Sequence, residues 1–428
     1  MYFLYSIFLL LFLLIYLSLS LFQDPFLRKY RHDLGERFGI YPSHLKEKTE
    51  DFRPLWIHAV SVGEMMAASP FISELTKRRS GERFILSAVT ATGRRVAKEK
   101  LSEGAADVLF FPLDFRWIVR RSLKALRPRA VILTETELWP HFLRACAEQG
   151  IPCILINGRI SEGSFRRYQL AKGFFRRMIE HMPLLCMQSE MDRSRIVQLG
   201  ADRSRTACTG NLKFDQYAKE EEDSPRFRLL QDLMIEDQLP VFIAGSTHRG
   251  EEKFAIEAFL RAKRKIKDLL FLLAPRHPER LLEVERLLNQ RGLTFTRRSL
   301  IQSEKERRGD VILLDTMGEL GRIYSLGTII FVGGSLVPVG GHNILEPALY
   351  DKPILFGPHM KNFQEIAELF LFGGAALSVR DAFDLAEKLL WLLQHPQEAK
   401  VMGEKAQAIL RQHRGAAQRT WELLKEYV

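Results

Sequence analysis

The sequence predicts an α/β protein made of two doubly wound parallel-sheet lobes that follow an apolar N-terminal segment. From Pro54 onward, short apolar segments alternate with amphipathic helical segments, as expected for parallel strands joined by crossover helices. The alternation breaks at residues 219–240 and then resumes, so we expect a linker there and a second sheet after it. We therefore assign residues 24–218 to an N-terminal lobe and residues 241–428 to a C-terminal lobe, whose last helices cross back to the first.

Length and composition fit this architecture. At 428 residues the chain is too long for one ordinary core. Lys and Arg outnumber Asp and Glu by 63 to 52, which favours an anionic surface or substrate without choosing among nucleic acid, membrane and phosphorylated lipid. The four cysteines have no CxxC spacing, so neither a zinc site nor a disulfide framework is expected.

Residues 1–23 are predicted to be a transmembrane anchor. The run from Tyr2 to Phe22 carries no charge and is long enough to cross the hydrocarbon core as a helix. A cleaved signal peptide is the alternative, but no basic residue precedes the run and no small-x-small cleavage site follows it before Asp24. By the positive-inside rule, the rest of the chain is cytoplasmic because basic residues follow the run: Arg28, Lys29, Arg31 and Arg37.

The first lobe places candidate residues at the ends of its strands, where doubly wound sheets bind ligands. Glu64 comes early in the helix after the first strand, and the helix dipole there favours an ionised carboxylate. Such a carboxylate can accept the proton of an attacking hydroxyl. Alternatively, Glu64 only caps its own helix. Ser61 and His58 either hold a substrate or simply fit the corner.

A later strand of the same lobe ends in two carboxylates, Glu135 and Glu137. Side chains two residues apart diverge on a helix, so an acid–base pair needs extended backbone here. Orientation of an acceptor and structural charge pairing are the alternatives. Arg159 follows the next strand, with Arg166 and Arg167 nearby, and these cations either hold phosphates of an anionic acceptor or form a solvated basic face.

The second lobe has polar loops after four predicted strands, which favours a nucleotide site. In the last of them, residues 331–348, two glycine pairs allow the backbone to approach a ligand, although a plain turn has the same glycines. Asn343 and Glu346 follow at a helix start. No lobe begins with the GxGxxG fingerprint, and neither a P-loop nor a convincing DxD pair is present. We therefore expect a nucleotide-activated sugar donor and a metal-independent reaction.

Several of these segments occur together in one known family. In order and spacing, the chain resembles the 3-deoxy-D-manno-octulosonic acid (Kdo) transferases of Gram-negative bacteria through HAVSVGEMMAA, TETELWP, NGRISEGSFRRY, GNLKFD, STHRGEE, PRHPER, DTMGEL and FVGGSLVPVGGHNILEPA. The resemblance covers nearly the whole chain, including the N-terminal segment. It implies the GT-B glycosyltransferase fold, in which two such lobes face a cleft.

The resemblance also implies a reaction. Members transfer Kdo from CMP-Kdo to the lipid A precursor, lipid IVA, during lipopolysaccharide core biosynthesis at the cytoplasmic face of the cell inner membrane. They invert the anomeric centre without a catalytic metal or cofactor, and nucleic acid is not a partner. The number of Kdo units added is left open. A UDP-sugar-dependent GT-B enzyme acting on a membrane lipid, and a non-catalytic membrane-anchored adaptor that binds nucleotide or lipid, are the alternatives.

Individual residues receive roles by motif. Glu64 matches the family's general base, which deprotonates the acceptor hydroxyl. From their positions in the first lobe, Ser61, Glu137 and Arg159 are predicted to contact the acceptor. The predicted CMP-binding residues are Ser246, Arg276, His277, Met317, Gly318, Glu319, Asn343, Ile344, Leu345 and Glu346.

Overall fold

The protein divides into two compact units, each built on a parallel sheet. The structure, a computed structural model, describes residues 2–11, 34–43, 45, 47, 49, 52–216, 226–301 and 309–428. Unit 1 comprises Met1–Gln216 and His413–Val428, and unit 2 comprises Tyr217–Gln412. Both sheets are wholly parallel with crossover helices, so the predicted α/β class with two parallel-sheet lobes is confirmed.

Unit 1 contains a sheet with the strand order β3-β2-β1-β4-β5-β6-β7. Its strands are β1 (Leu55–His58), β2 (Phe84–Ala88), β3 (Ala105–Phe110), β4 (Ala130–Thr134), β5 (Cys153–Gly158), β6 (Leu185–Met187) and β7 (Thr206–Cys208). Strands β1, β2, β4 and β5 are buried along their whole length, because both faces of the sheet are covered. The order reverses between β1 and β4, and doubly wound sheets bind ligands at such a reversal.

Helices cover both faces of this sheet. They are α1 (Leu34–Arg37), α2 (Val62–Arg78), α3 (Ala91–Lys100), α4 (Arg116–Leu126), α5 (Pro140–Glu148), α6 (Glu162–Leu170), α7 (Lys172–Ile179) and α8 (Glu190–Gln198), with 3-10 turns at Arg203–Arg205 and Leu212–Asp215. Helix α2 begins where Ser61, in extended conformation, accepts a hydrogen bond from the N–H of Glu64. Its apolar side chains recur at helical spacing, and those of Phe71 and Leu75 are fully buried.

Unit 2 contains a sheet with the strand order β10-β11-β9-β8-β12-β13-β14. Its strands are β8 (Val241–Thr247), β9 (Leu270–Pro275), β10 (Phe295–Arg297), β11 (Val311–Leu313), β12 (Ile329–Val332), β13 (Ile354–Phe356) and β14 (Ala376–Ser378). Stacked rings of Phe242, Phe271 and Phe259 pack between sheet and helix in its core. Here the strand order reverses between β8 and β12.

The helices of unit 2 are α9 (Arg226–Asp232), α10 (Glu251–Lys263), α11 (Leu281–Gln290), α12 (Leu320–Ile323), α13 (Leu345–Ala348), α14 (Gln364–Phe372), α15 (Ala382–Gln394) and α16 (Pro396–His413), with 3-10 turns at Pro278–Arg280, Arg298–Leu300, Tyr324–Leu326 and Lys361–Phe363. Helix α9 falls within residues 219–240, which the sequence assigns to a linker. From residue 226 this segment packs in unit 2, because Leu229 and Leu233 are buried and Arg226 donates to the carbonyl of Ser325 at 2.8 Å. Residues 219–225 lie outside the described residues.

The last helix, α17 (Ala416–Leu424), belongs to unit 1. The carboxylate of Asp215 accepts the N–H groups of Gly415 at 2.6 Å and Ala417 at 2.7 Å, which satisfies free donors at the start of α17. Trp421 and Leu424 are buried in the same apolar cluster as α2 and β1. The chain therefore returns to unit 1 only for its final helix, while α15 packs in unit 2.

Residues 2–11 form a helix that lies against unit 1. Within the part of the chain that the structure describes, no helix is both long and apolar enough to span a membrane. The predicted anchor, residues 1–23, extends beyond residue 11 into a segment outside the described residues.

Candidate active site

Glu64 lies at the carboxyl edge of the first sheet, and its carboxylate folds back on the corner between β1 and α2. The N–H of Val60 donates to Glu64 Oε2 at 2.7 Å, and the hydroxyl of Ser61 donates to Oε1 at 3.3 Å. Ser61 in turn accepts from the N–H of Glu64 at 3.5 Å, a reciprocal cap. Glu64 therefore caps its helix, and the same bonds fix its carboxylate at the edge where such sheets bind ligands.

Three carboxylates meet at this edge. Burial first, and then the negative charge of Glu135, raise the pKa of Glu64 to about 7, against the opposing charge of Lys213. Burial and the charges of Glu64 and Glu135 also raise the pKa of Glu137 to about 7. The three residues follow β1 and β4, the strands between which the order reverses. A fixed carboxylate with a pKa near 7 is suited to general base catalysis at neutral pH.

Lys213 completes this carboxylate cluster, although the sequence pattern does not single it out. Its ammonium lies 3.5 Å from Glu135 Oε1. Glu135 itself has a φ of 61°, a left-handed conformation that is uncommon for a residue with a side chain and that occurs preferentially at functional sites. Its position in the sequence could have indicated its place in the cluster. Lys213 lies shortly after β7, at the same edge of the sheet as the three carboxylates.

Two other candidates of unit 1 have structural contacts. His58 is fully buried, its Nδ1 lies 3.0 Å from Ser87 Oγ and its ring stacks on Phe111 with centroids 3.7 Å apart. Burial lowers its pKa to about 3, so His58 is a neutral core residue at pH 7. The carbonyl of Arg159 accepts a hydrogen bond from the hydroxyl of Thr136, which ties the loops after β5 and β4 together. Contact of Arg159 with an acceptor stays a prediction.

A cationic cluster lies at the carboxyl edge of the second sheet. Arg276 and His277 follow β9 and are exposed, and the ring of His277 meets that of His248 edge-on with centroids 5.1 Å apart. Burial, followed by the positive charge of Arg276, lowers the pKa of His342 to about 4, so Arg276 lies close to that ring too. Loops after β8, β9 and β12 therefore converge on one place, and an exposed guanidinium there can take two oxygens of a phosphate or carboxylate.

His248 and His342 form a pair inside this cluster. Their Nε2 atoms are 2.8 Å apart and their rings are stacked, with centroids 5.0 Å apart. At this distance one ring donates its N–H to the other, so the pair shares a proton. Burial and the neighbouring cations lower both pKa values, so both rings are neutral at pH 7. The pair was not predicted, because the sequence does not reveal that the two loops meet.

Glu251 holds the glycine-rich loop in place and was also not predicted. It opens α10, and its side chain is fully buried. Its carboxylate accepts four backbone N–H groups at 2.6 to 2.9 Å, those of His248, Gly334, Ser335 and Leu336. The N–H groups at the start of the glycine-rich loop are therefore engaged by a carboxylate of the protein and do not point at a ligand.

The two glycine pairs of this loop serve the turn itself. A Cβ on Gly333 would lie 2.6 Å from the carbonyl oxygen of Ser246, so glycine allows β12 and β8 to continue in close contact. Gly340 and Gly341 have φ values of 110° and 75°, a region that residues with side chains rarely adopt. The loop is thus a braced turn, and the residues after it remain the candidates for ligand contact.

Those residues divide into two with half-buried side chains, Asn343 and Glu346, and two with core side chains. The side-chain oxygen of Asn343 accepts the N–H of Leu345 at 3.0 Å, which forms an Asx turn at the entry to α13. Ile344 and Leu345 are fully buried, which places their side chains in the core and leaves only backbone atoms for any contact with CMP. Glu346 is half-buried beside Tyr324, whose pKa is raised mainly by burial and then by the charge of Glu346.

The remaining predicted CMP-binding residues lie at the end of β8 and on a neighbouring loop. Ser246 is near the carboxyl end of β8 and has a left-handed φ of 55°. Met317 is 67% exposed, Gly318 has a φ of 85°, and the carboxylate of Glu319 lies 3.3 Å from Arg298 Nη2. No group of three or more His, Cys, Asp or Glu among the described residues is arranged to hold a metal ion. The CMP-binding roles and metal independence stay predictions.

Known proteins match the chain over most of its length. Residues 32–216 match a family model described as 3-Deoxy-D-manno-octulosonic-acid transferase (kdotransferase). A 3-deoxy-D-manno-octulosonic acid transferase from Haemophilus influenzae is 33% identical over 94% of this chain and 92% of its own length. One from Bordetella pertussis is 34% identical over 88% of this chain and 87% of its own length.

A solved structure shares the two-unit fold. The crystal structure of UDP-GlcNAc 2-epimerase from Neisseria meningitidis bound to UDP-GlcNAc covers 87% of this chain and 100% of its own chain, with a TM-score of 0.61 and 16% identity. At that identity the likeness concerns the fold alone. The sequence relatives carry the assignment further, because two of them exceed 30% identity over most of both chains. The chain therefore belongs to the 3-deoxy-D-manno-octulosonic acid transferases, a family of glycosyltransferases.

Proposed function

We propose that this enzyme transfers Kdo from CMP-Kdo to a hydroxyl of the lipid A precursor, lipid IVA, with Glu64 as the general base. The observation that carries this role is the setting of the Glu64 carboxylate. It is fixed by Val60 and Ser61 at the end of β1, and its pKa is raised to about 7. A base with a pKa near the working pH is present in its ionised form and still binds a proton well.

The step is a single displacement. Glu64 takes the proton of the acceptor hydroxyl, the hydroxyl oxygen attacks the anomeric carbon of Kdo, and the CMP phosphate leaves with the bonding electrons. Attack on the face opposite the leaving phosphate inverts the anomeric configuration. In this scheme unit 1 binds the acceptor and unit 2 binds the donor, and positioning of the two reactants supplies much of the rate.

The cationic cluster of unit 2 is suited to the CMP phosphate. Negative charge grows on that phosphate as its bond to the anomeric carbon breaks. The guanidinium of Arg276 stabilises this charge, and the paired rings of His248 and His342 lie beside it. We assign Asn343 and Glu346 to the ribose hydroxyls. In this scheme protein cations do what a divalent metal does elsewhere, so EDTA leaves the rate unchanged.

We further propose that the enzyme works at the cytoplasmic face of the inner membrane and that the apolar segment 1–23 attaches it there. A formal net charge of +11 favours contact with anionic headgroups. Large apolar side chains are also exposed on the helical residues 2–11, where water is a poor environment for them.

The proposal is tested by turnover and by one substitution. Incubation of the protein with CMP-Kdo, lipid IVA and EDTA is expected to yield Kdo-modified lipid and CMP, read by mass spectrometry. Glu64→Gln is expected to lower kcat by at least about two orders of magnitude, because the base is lost, with an unchanged Kd for CMP by calorimetry. Glu74→Gln is the control on the same helix, since Glu74 pairs with Arg78 at 2.8 Å on the helix surface.

Results other than the expected ones would each contradict a specific part of the proposal. Turnover with a UDP-sugar in place of CMP-Kdo identifies a different glycosyltransferase. Binding of CMP and lipid without product identifies a non-catalytic adaptor. Kdo transfer by Glu64→Gln at the parental kcat leaves the reaction intact and rejects Glu64 as its base.

A further inference from the structure

A groove of about 290 Å³ lies in unit 1 beside the carboxylate cluster. Glu137 contributes to its wall, and most of the rest is apolar, including Trp139, Phe174, Phe175 and Met178. An apolar groove next to charged groups is the ordinary form of a small-molecule site, because apolar area supplies affinity while a few polar groups set orientation. The mechanism proposed above uses only the polar end of this groove.

The N-terminal helix supplies one wall of the groove through Tyr5. The hydroxyl of Tyr5 donates to Asp114 Oδ2 at 2.9 Å, and Ser6 Oγ lies 2.8 Å from His141 Nε2. Asp114 is 3% exposed, and it also accepts the N–H groups of His141 at 3.0 Å and Phe142 at 2.7 Å at the start of α5. The helix is therefore attached to the rest of unit 1 by two partly buried polar contacts.

The same helix has an apolar outer face. Its exposed side chains include Phe3, Leu4 and Phe8, at 76%, 67% and 67% exposure. A helix that turns polar groups toward the protein and apolar groups away from it is built to lie against lipid. Because Tyr5 and Ser6 contact unit 1, these turns lie against the protein on one face and present apolar side chains on the other.

Three arginines lie near groove residues or their aromatic neighbours. The guanidinium of Arg144 lies 5.0 Å from the ring centroid of Tyr2, which in turn packs edge-on against Phe174 at 5.2 Å. Arg177 lies close enough to Tyr2, and Arg167 close enough to the groove residue Tyr168, for their charges to act on those phenols. An apolar interior with guanidinium groups at its edge complements an amphiphile with an apolar chain and an anionic headgroup.

We propose that this groove binds one acyl chain of the lipid acceptor and that the N-terminal helix completes it. The inference rests on the proposed lipid acceptor. With the chain in the groove, the phosphorylated headgroup meets the arginines, and its hydroxyl lies near Glu137 and the neighbouring Glu64. Residues 2–11 then have a part in acceptor recognition in addition to membrane attachment.

Filling the groove tests the proposal. Ala171 lines the groove at the junction of α6 and α7. Ala171→Phe is expected to raise KM for tetra-acylated lipid IVA at least about tenfold, the loss expected when two buried methylenes leave an apolar site. KM for a short-chain analogue and KM for CMP-Kdo are expected to stay at parental values. Leu170→Phe is the matched control, because Leu170 is 90% exposed in the adjacent position and does not line the groove.

The outcomes separate this proposal from the proposed function. An unmodified enzyme that makes no Kdo-lipid overturns the function, and the groove proposal with it. If the enzyme is active and Ala171→Phe has parental KM values for both the long-chain and the short-chain acceptor, the groove proposal alone is overturned. A lipid IVA analogue with a diazirine on one acyl chain provides a direct check. Labelling of residues 2–11 and 168–178 that is lost in Ala171→Phe supports the site, whereas equal labelling by a diazirine phospholipid overturns it.

Discussion

At the scale of single residues, the charges around Glu64 set the pH at which the proposed base works. Its pKa is raised to about 7, so the base form, and with it activity, is gained as pH rises through about 7. Glu135→Gln removes a negative neighbour and is expected to move the acid limb of the kcat profile about one unit lower. Lys213→Met removes a positive neighbour and is expected to move it about one unit higher. Both shifts are read from kcat at saturating substrates across the pH range.

The two substitutions are expected to shift the midpoint of the kcat profile in opposite directions, which distinguishes an electrostatic role from a structural one. A merely structural role of either residue lowers kcat at every pH and leaves the midpoint in place. Because Lys213 and Glu135 lie 3.5 Å apart, the double variant is expected to return the midpoint close to the parental value. Equal shifts in one direction would contradict the electrostatic account.

Glu251 is predicted to govern the order of the glycine-rich loop. Glu251→Gln replaces one acceptor oxygen by an NH₂ group that faces backbone donors, so buried N–H groups lose their partner at a cost of about 2–4 kcal/mol. Amide exchange at residues 334–336 is expected to accelerate at least about tenfold, as measured by hydrogen–deuterium exchange. Glu257→Gln on the same helix is the control, because its surface pair with Arg261 contributes little. Unchanged exchange in Glu251→Gln would show that other contacts order the loop.

The sequence predicted which residues lie at strand ends, but it did not predict which side chains contact a second loop. Glu64 and Arg276 were predicted from their positions after strands, and each lies at the carboxyl edge of its own sheet because parallel strands end there together, while their roles stay predictions. Glu251 and His342 were missed because a sequence does not tell which polar side chain of a loop turns inward toward another loop. Once strand order is known, the meeting of the loops after β8 and β12 follows, and with it the pair formed by His248 and His342.

At the scale of elements, the capping of α17 is predicted to hold the end of the chain on unit 1. Asp215→Asn weakens two hydrogen bonds to the first turn of that helix and is expected to cost about 1–2 kcal/mol. Trp421 then becomes more accessible, so acrylamide quenching of its fluorescence and proteolysis within residues 413–428 are expected to increase. Asp202→Asn is the control, since Asp202 caps only one exposed 3-10 turn. Parental quenching in Asp215→Asn would mean that apolar packing alone holds α17.

Strands and helices were predicted correctly where the hydrophobic period and the length of the segment were clear. Apolar runs such as those of β1, β4 and β8 are typical of strands buried on both faces, and all three occur as expected. The segment 219–240 was harder, because a short polar helix with two or three buried leucines resembles a linker until its partner surface is known. Its charged run lies outside the described residues, while α9 packs in unit 2.

At the scale of the whole molecule, the two units differ in how the chain builds them: one is a single segment and the other is made of two. Unit 2 is one continuous stretch, residues 217–412, whereas unit 1 is completed by residues 413–428 from the far end of the chain. The sequence predicted two lobes from the repeated alternation of strands and helices. Which helix returns to unit 1 depends on burial of residues such as Trp421, and composition alone does not show on which sheet an amphipathic helix packs.

This asymmetry predicts that unit 2 folds alone and unit 1 does not. A fragment of residues 217–412 keeps its sheet, the Glu251 brace and the cationic cluster, so it is expected to unfold cooperatively and to bind CMP with a Kd within a few-fold of the full chain, as measured by calorimetry. A fragment of residues 1–216 loses the burial of Trp421 and Leu424, worth about 1.5–3 kcal/mol each, and is expected to aggregate or to unfold at lower urea concentration. Fusion of residues 413–428 through a flexible Gly-Ser linker is expected to restore it. Loss of CMP binding by a folded unit 2 fragment would place part of the nucleotide site in unit 1, and the assignment of donor to unit 2 would then fail.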